Sequence, residues 1–221
     1  MPSRSTETPS FRELLFSDFA RYRAVPNPRW LSVLMVSFTD PGMLASLIIR
    51  AQQCLHFSGH RRLAIILRMI ANTVLGADFG PGMTIGKGLW IPHPAGVTVG
   101  IGAVIGDNVT LAGGATVAAR YYDPKPGVEQ EFATICDNAV IGAHAVLVGG
   151  VRIGVGATVG ANSVVLSDVP DGAVVLGNPA RPVGNRAGAA AAKPAPPPSS
   201  QKSPEQTPEK SPERAPEQGD T

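Results

Sequence analysis

The sequence predicts an α+β chain: helices over residues 11–76, a parallel β-helix over 77–183 and a disordered tail over 184–221. Three observations carry this reading. Large apolar residues recur every six positions, as Phe79, Ile85, Ile91 and Val97, then Val99, Ile105, Leu111 and Val117, and again as Ile135, Ile141, Leu147, Ile153, Val159 and Val165. A six-residue period marks a β-solenoid, in which each hexad is a short strand plus a tight turn and three hexads close one triangular coil. Before this repeat the apolar residues recur at helical spacing instead. After Val183 large apolar residues almost vanish.

Taken in order, residues 1–10 are polar, lack the apolar core of a leader peptide and are expected to be disordered. Phe11, Leu14, Leu15 and Phe19 mark a first helix. Asp40-Pro41 opens a second, with Asp40 as N-cap and Pro41 in the first turn, and Gly59 stops it. A third runs from about His60 to Leu75 and ends at Gly76. Arg61, Arg62 and Arg68 give it the look of a membrane-surface element, but packing of its Leu/Ile face on neighbouring helices and on a partner subunit is the preferred reading.

In the repeat, glycine often follows the large residue, as at Gly80, Gly86, Gly100, Gly106, Gly142, Gly154 and Gly160. Four places after the large residue the chain is small or β-branched, from Ala103 through Ser163 to Val169. Coils of this kind stack at about 4.8 Å. An open Gly/Val-rich sheet is the alternative, and fourteen in-register apolar positions speak against it. Two places break the period. Eight residues instead of six separate Ile91 from Val99, bulging the turn around His93 between Pro92 and Pro94. A longer loop, residues 118–134, is ejected and carries Arg120, Tyr121, Tyr122, Asp123 and Lys125. Binding groups are commonly mounted on such loops.

Of the four histidines, His56, His60 and His144 read as surface residues, whereas His93 lies in the bulge. Asp78 precedes it by nearly one coil of eighteen residues, which would set the two on adjacent coils. An Asp–His pair holds an imidazole as a general base. A formal charge of +2 over 221 residues gives no sign of a nucleic-acid binder. Cys54 and Cys136 lack metal or redox spacing and are expected to be buried free thiols in a reducing cytosol. No apolar run reaches the ~20 residues needed to span a bilayer, so a soluble cytoplasmic chain is expected. The tail repeats Pro-Glu at 204, 208, 212 and 216 and is expected to be a passive linker.

Residues 78–100 (DFGPGMTIGKGLWIPHPAGVTVG), 104–111 (VIGDNVTL), 140–170 (VIGAHAVLVGGVRIGVGATVGANSVVLSDVP) and 177–183 (GNPARPV) resemble the serine acetyltransferases. Asn27-Pro28 and Arg50 also fit, so the likeness covers roughly residues 20–184. It implies that the β-helix is left-handed and that the activity is an acetyl-CoA-dependent O-acetyl transfer belonging to cysteine biosynthesis. His93 would be the general base and Asp78 its orienter. Ala143 and Ala161 would contact acetyl-CoA, no metal is implied, and the chain would form a homotrimer or a dimer of trimers with sites at subunit junctions.

The departures bear on the acceptor. Asn27 and Pro92 stand where the family has substrate-holding aspartates. Glu131-Phe132 replaces its Arg-His pair, and Ala118-Ala119-Arg120 its Gly-Gly-Thr. The substrate-binding positions Asn27, Pro92 and Phe132 are therefore altered, and L-serine is expected to be a poor acceptor. Two rivals follow: an O-acyltransferase of the same mechanism for a sugar or natural-product hydroxyl, and a non-catalytic oligomeric β-helix scaffold. The chain ends Gly219-Asp220-Thr221 without the C-terminal isoleucine through which such enzymes dock cysteine synthase, so that complex is not expected.

Overall fold

The structure is a computed structural model that describes residues 9–23, 28–120 and 130–185. The expected disorder of the tail, the centre of the ejected loop and Asn27 lie outside the described residues. Four helices come first: α1 (Phe11–Arg23), α2 (Trp30–Thr39), α3 (Pro41–Phe57) and α4 (Arg61–Leu75). The Asp40 cap forms as expected, its carboxylate accepting the N–H groups of Gly42 and Met43 at 2.9 and 3.1 Å. Gly76 closes α4 at φ +62, a left-handed conformation that suits glycine. The α2 helix is an addition to the sequence reading. Seven of its ten residues are apolar or aromatic and they lie on every side, with Ser32, Ser37 and the terminal Thr39 between them, so no amphipathic period announces it.

One part of the expectation for α4, that its Leu/Ile face packs on the neighbouring helices of the same chain, is corrected. Among the α4 side chains only Ala64 and Ala71 are buried, and these small residues seat the helix on α3. Leu63, Ile65, Ile66, Met69, Ile70 and Val74 face outward. Among the described residues no single helix is long and apolar enough to cross a membrane; α2 and α3 pass together by length and composition but are bent by 118°.

The rest is a stack of coils with three sheet faces. The first face carries Asp78–Phe79, Thr98–Val99, Thr116–Ala118, Val146–Val148 and Val164–Val165; the second carries Thr84–Ile85, Val104–Ile105, Thr134–Ile135 and Arg152–Ile153. The third carries Thr110–Leu111, Val140–Ile141, Thr158–Val159 and Ala173–Leu176, all parallel, and Arg181–Asn185 closes it as an antiparallel strand. That last strand runs two residues past the boundary expected at Val183. In each two-residue strand the second residue points inward. Phe79, Ile105, Leu111, Ile135, Ile141, Leu147, Ile153 and Val159 are almost completely buried, and the small residues Ala103, Ala115, Ala139, Ala145 and Ala157 fill the corners between them.

Register shows where the period bends. Thr134 pairs with Arg152 and Thr158 with Val140, steps of eighteen residues. Asp78 pairs with Thr98, a step of twenty that absorbs the His93 bulge, and Thr116 with Val146, a step of thirty that absorbs the ejected loop. Two sequence assignments shift accordingly. Val97 precedes the strand Thr98–Val99 and falls in the small-residue column with Ala115, not among the large residues. Val169 bridges Ile153, so it takes a large-residue place in a shortened last coil.

At one corner, glycines of one coil make room for aspartates of the next. A Cβ at Gly86, Gly106 or Gly154 would meet a carboxylate oxygen of Asp107, Asp137 or Asp171. Those oxygens accept the N–H groups of Lys87, Asp107 and Val155 at 2.8, 2.7 and 2.9 Å, satisfying turn donors the strands leave unused.

Candidate functional site

The helices position the bulge. Asp18 and Arg50, both fully buried, form a bidentate pair at 2.8 Å, and the guanidinium also donates to the carbonyls of Ile85 (3.0 Å) and Gly86 (2.6 Å). Asp18 accepts the Leu89 N–H at 2.8 Å. Burial pushes the Asp18 carboxyl up against the pull of Arg50. Arg21 donates to Gly88 O and Thr110 Oγ1 and lies over the Trp90 ring. Arg50, matched to a family arginine in the sequence, is thus a clamp between α1, α3 and the first coil.

Tyr22 reaches the bulge itself. Its hydroxyl donates to Ile91 O and accepts from Ile91 N–H, each at 3.0 Å. Burial pushes the phenol well above its ordinary pKa, so it remains a neutral donor. Gly42 makes this approach possible, since a Cβ there would overlap the Ile91 carbonyl oxygen. Two residues on, His93 is exposed, Pro92 is half-buried and Pro94 is buried. The sequence thus anchors the start of the bulge in the core and lifts its imidazole out.

Asp78 opens the first strand, half-buried. Its carboxylate is held bidentately by Arg68 of α4, with Nε donating to one oxygen and Nη2 donating to the other at 2.8 Å. The pair holds the Arg68 guanidinium above its ordinary pKa. Among the described residues no hydrogen bond joins Asp78 to His93, and the direct neighbour of Asp78 on the next coil is Thr98. A bidentate guanidinium uses one acceptor site on each oxygen and leaves others open.

The corner below His93 forms a column. Gly114 N–H donates to Ala95 O (3.0 Å), His144 N–H to Gly113 O (2.9 Å) and Asn162 N–H to Ala143 O (2.9 Å). Ala143 and Ala161 are therefore stacked on successive coils, Ala143 half-buried and Ala161 exposed. Small side chains at this edge leave the space a long, thin ligand needs, which fits the implied acetyl-CoA. Phe132 lies at a different corner. Its ring sits over Gly100 and Gly102, where a Cβ at Gly102 would come within 2.7 Å of it, and it packs against the solenoid core. Exposed Arg120 and Glu131 lie against Gly149 and Gly150. Within one chain the structure brings together His93, Ala143 and Ala161 but sets Phe132 apart.

Sequence reasoning missed Tyr22, Gly42 and Arg68. Tyr22 and Arg68 have no local signal, because their partners lie on other elements. Both cysteines are free, but Cys54 is exposed and Cys136 half-buried, correcting the expectation of buried thiols. Burial pushes the Cys136 thiol up, away from reactivity.

No protein-family model matches the chain. Serine acetyltransferase from Helicobacter pylori is 34% identical over 143 residues, 65% of this chain and 81% of that protein. Its counterpart from Bacillus pumilus is 36% identical over 162 residues, covering 71% and 70%. Serine acetyltransferase 4 of Arabidopsis thaliana is 37% identical over 158 residues, and there the match covers 72% of this chain but 43% of the longer plant protein. Among solved structures, the Neisseria gonorrhoeae serine acetyltransferase superposes with a TM-score of 0.68 at 31% identity over 79% of this chain and 66% of that one. Soybean serine acetyltransferase complexed with serine gives 0.67 at 35% identity over 80% and 70%. On these similarities, and on a solenoid with the bulged histidine, the chain belongs to the serine acetyltransferase family.

Proposed function

We propose that the chain is an acetyl-CoA-dependent O-acetyltransferase with His93 as general base and serine as acceptor. The observation that carries it is the two-residue insertion at one coil corner, which lifts an exposed imidazole from a core-anchored bulge in a chain of this family. His93 takes the proton of the acceptor hydroxyl as its oxygen attacks the thioester carbon. The tetrahedral intermediate collapses, the C–S bond breaks, and the departing thiolate recovers the proton, leaving the O-acetyl product and free CoA. Backbone N–H groups of the bulge or loop stabilise the oxyanion. Asp78 orients His93 through an acceptor site that Arg68 leaves open.

The stack is read as a left-handed solenoid that assembles as a trimer or dimer of trimers, with His93 of one copy and the Phe132 region of another meeting at the junction. The corner separation of these residues within one chain supports that arrangement. Pro92 and Phe132 offer no charge to an amino acid, so serine binding is expected to be weak. Purified protein with acetyl-CoA and L-serine, a sugar and an uncharged alcohol, followed by thiol release, tests the reading. Saturable release with L-serine supports it. Release only with another hydroxyl moves the activity to that acceptor, and no release with any acceptor overturns catalysis.

A further inference from the structure

The next inference rests on the acyl-transfer reading. The corner that carries His93 is closed in one direction and open in the other. Toward the helices, Gly96 N–H donates to Gly76 O at 2.8 Å, so the cap of α4 covers the corner. In the other direction the column of Gly113-Gly114, Ala143-His144 and Ala161-Asn162 continues along the stack. A thioester placed at His93 has a carrier arm many times longer than one coil spacing of about 4.8 Å. The open direction takes that arm past His144.

His144 is not an ordinary turn residue. It holds φ +56 in a column where Gly96 and Gly114 hold +75 and +71 and Asn162 holds +57. Residues other than glycine are uncommon in this region, histidine and asparagine being among those that enter it most readily, whereas glycine is unstrained there. Its ring lies on Gly114, where a Cβ would overlap Nδ1 and come within 3.0 Å of Cγ. On the same glycine pair, a Cβ at Gly113 would come within 3.3 Å of the His93 Cβ. The two histidines therefore bracket Gly113-Gly114, and both side chains are exposed. Among the described residues no side-chain hydrogen bond uses the His144 imidazole. With Nδ1 turned to the glycine, Nε2 is the nitrogen open to a ligand.

We propose that His144 is a donor-binding residue that hydrogen-bonds an amide of the carrier arm of acetyl-CoA, holding the thioester against His93. It binds the donor and takes no proton in the reaction. The test uses His144→Gly, which suits the left-handed backbone, and His144→Asn, which suits it and keeps a polar amide. CoA binding to the full-length chain is measured by calorimetry, with melting temperature and the KM and kcat for acetyl-CoA alongside. One hydrogen bond predicts that His144→Gly weakens CoA about three- to tenfold and raises KM similarly. The melting temperature is kept or raised, kcat changes little, and His144→Asn recovers much of the affinity. CoA affinity equal to wild type in both variants overturns the inference and leaves acyl transfer standing. A fall in kcat at unchanged CoA affinity overturns it too, and assigns His144 to the chemistry. A wild-type chain that binds no CoA overturns the acyl-transfer reading itself, and this inference with it.

Discussion

Tyr22 offers a direct test of whether the helices set the geometry of the bulge. Replacing it by phenylalanine keeps the ring packed among Leu15, Phe19, Val33 and Met43 but removes the hydroxyl. The Ile91 N–H and C=O then both lose their partner, in a residue with no exposed surface. A buried polar group left without a hydrogen bond costs about 1–3 kcal/mol, and two on one residue together about 2–4 kcal/mol. For a chain of this length that lowers the melting temperature by roughly 5–15 °C. The freed bulge carries His93 two residues on, and a catalytic group displaced by about 1 Å can lose up to ~100-fold in rate. Calorimetric melting and initial rates of acetyl transfer at saturating acetyl-CoA read the two effects separately. Tyr22→Phe is expected to melt lower and turn over about tenfold more slowly while CoA affinity holds. A melting temperature and rate both equal to wild type would refute the idea that this hydroxyl anchors the bulge.

Other substitutions separate chemistry from folding. His93→Ala should cut acetyl transfer by about 10² to 10⁴ while melting and CoA affinity stay at wild-type values; full activity would remove His93 as the base. Asp78→Asn should lose less activity, and because it weakens the Arg68 pair it should also loosen α4, seen as faster amide exchange over Arg61–Leu75; unchanged exchange would argue against that contact. Arg50→Ala leaves the Asp18 carboxylate buried without its cation and should cost about 3–5 kcal/mol in denaturant unfolding; a loss under ~1 kcal/mol would show that the clamp is not needed. The Val155 N–H, followed by Arg152, holds the Asp171 carboxyl below its ordinary pKa. Its contribution is therefore present above the unfolded value of about 3.9 and is lost as pH falls through the lower folded value. Asp171→Asn should shift the acid-unfolding profile in that window, and superimposable profiles would contradict it.

The repeat was legible because every coil gives its residues the same surroundings: the inward position of Ile105 is also that of Ile135 and Ile153, so one rule serves the whole solenoid. Legibility failed where coil length changes. A twenty-residue step moved Val97 into the small-residue column, and a shortened coil moved Val169 out of it. It failed again for contacts between elements. The Arg68–Asp78 pair and the Tyr22–Ile91 pair join a helix to a coil, and neither partner carries a mark that points to the other.

These failures share a cause that bears on the site. A regular solenoid gives its core residues little freedom to differ, so a reactive group needs an irregularity in the coil and something outside the coil to fix it. The insertion at His93 supplies the first, and was readable as a break in period. Tyr22, Gly42 and the Asp18–Arg50 clamp supply the second, and became visible only when α1 and α3 were seated on the first coil. Phe132 shows the opposite use of an irregularity. At the end of the ejected loop, its ring returns to the glycines of the preceding coil and packs on the core. The same loop end that could present a polar group to the acceptor here seals the stack, which is why the base is expected to persist while serine binding weakens.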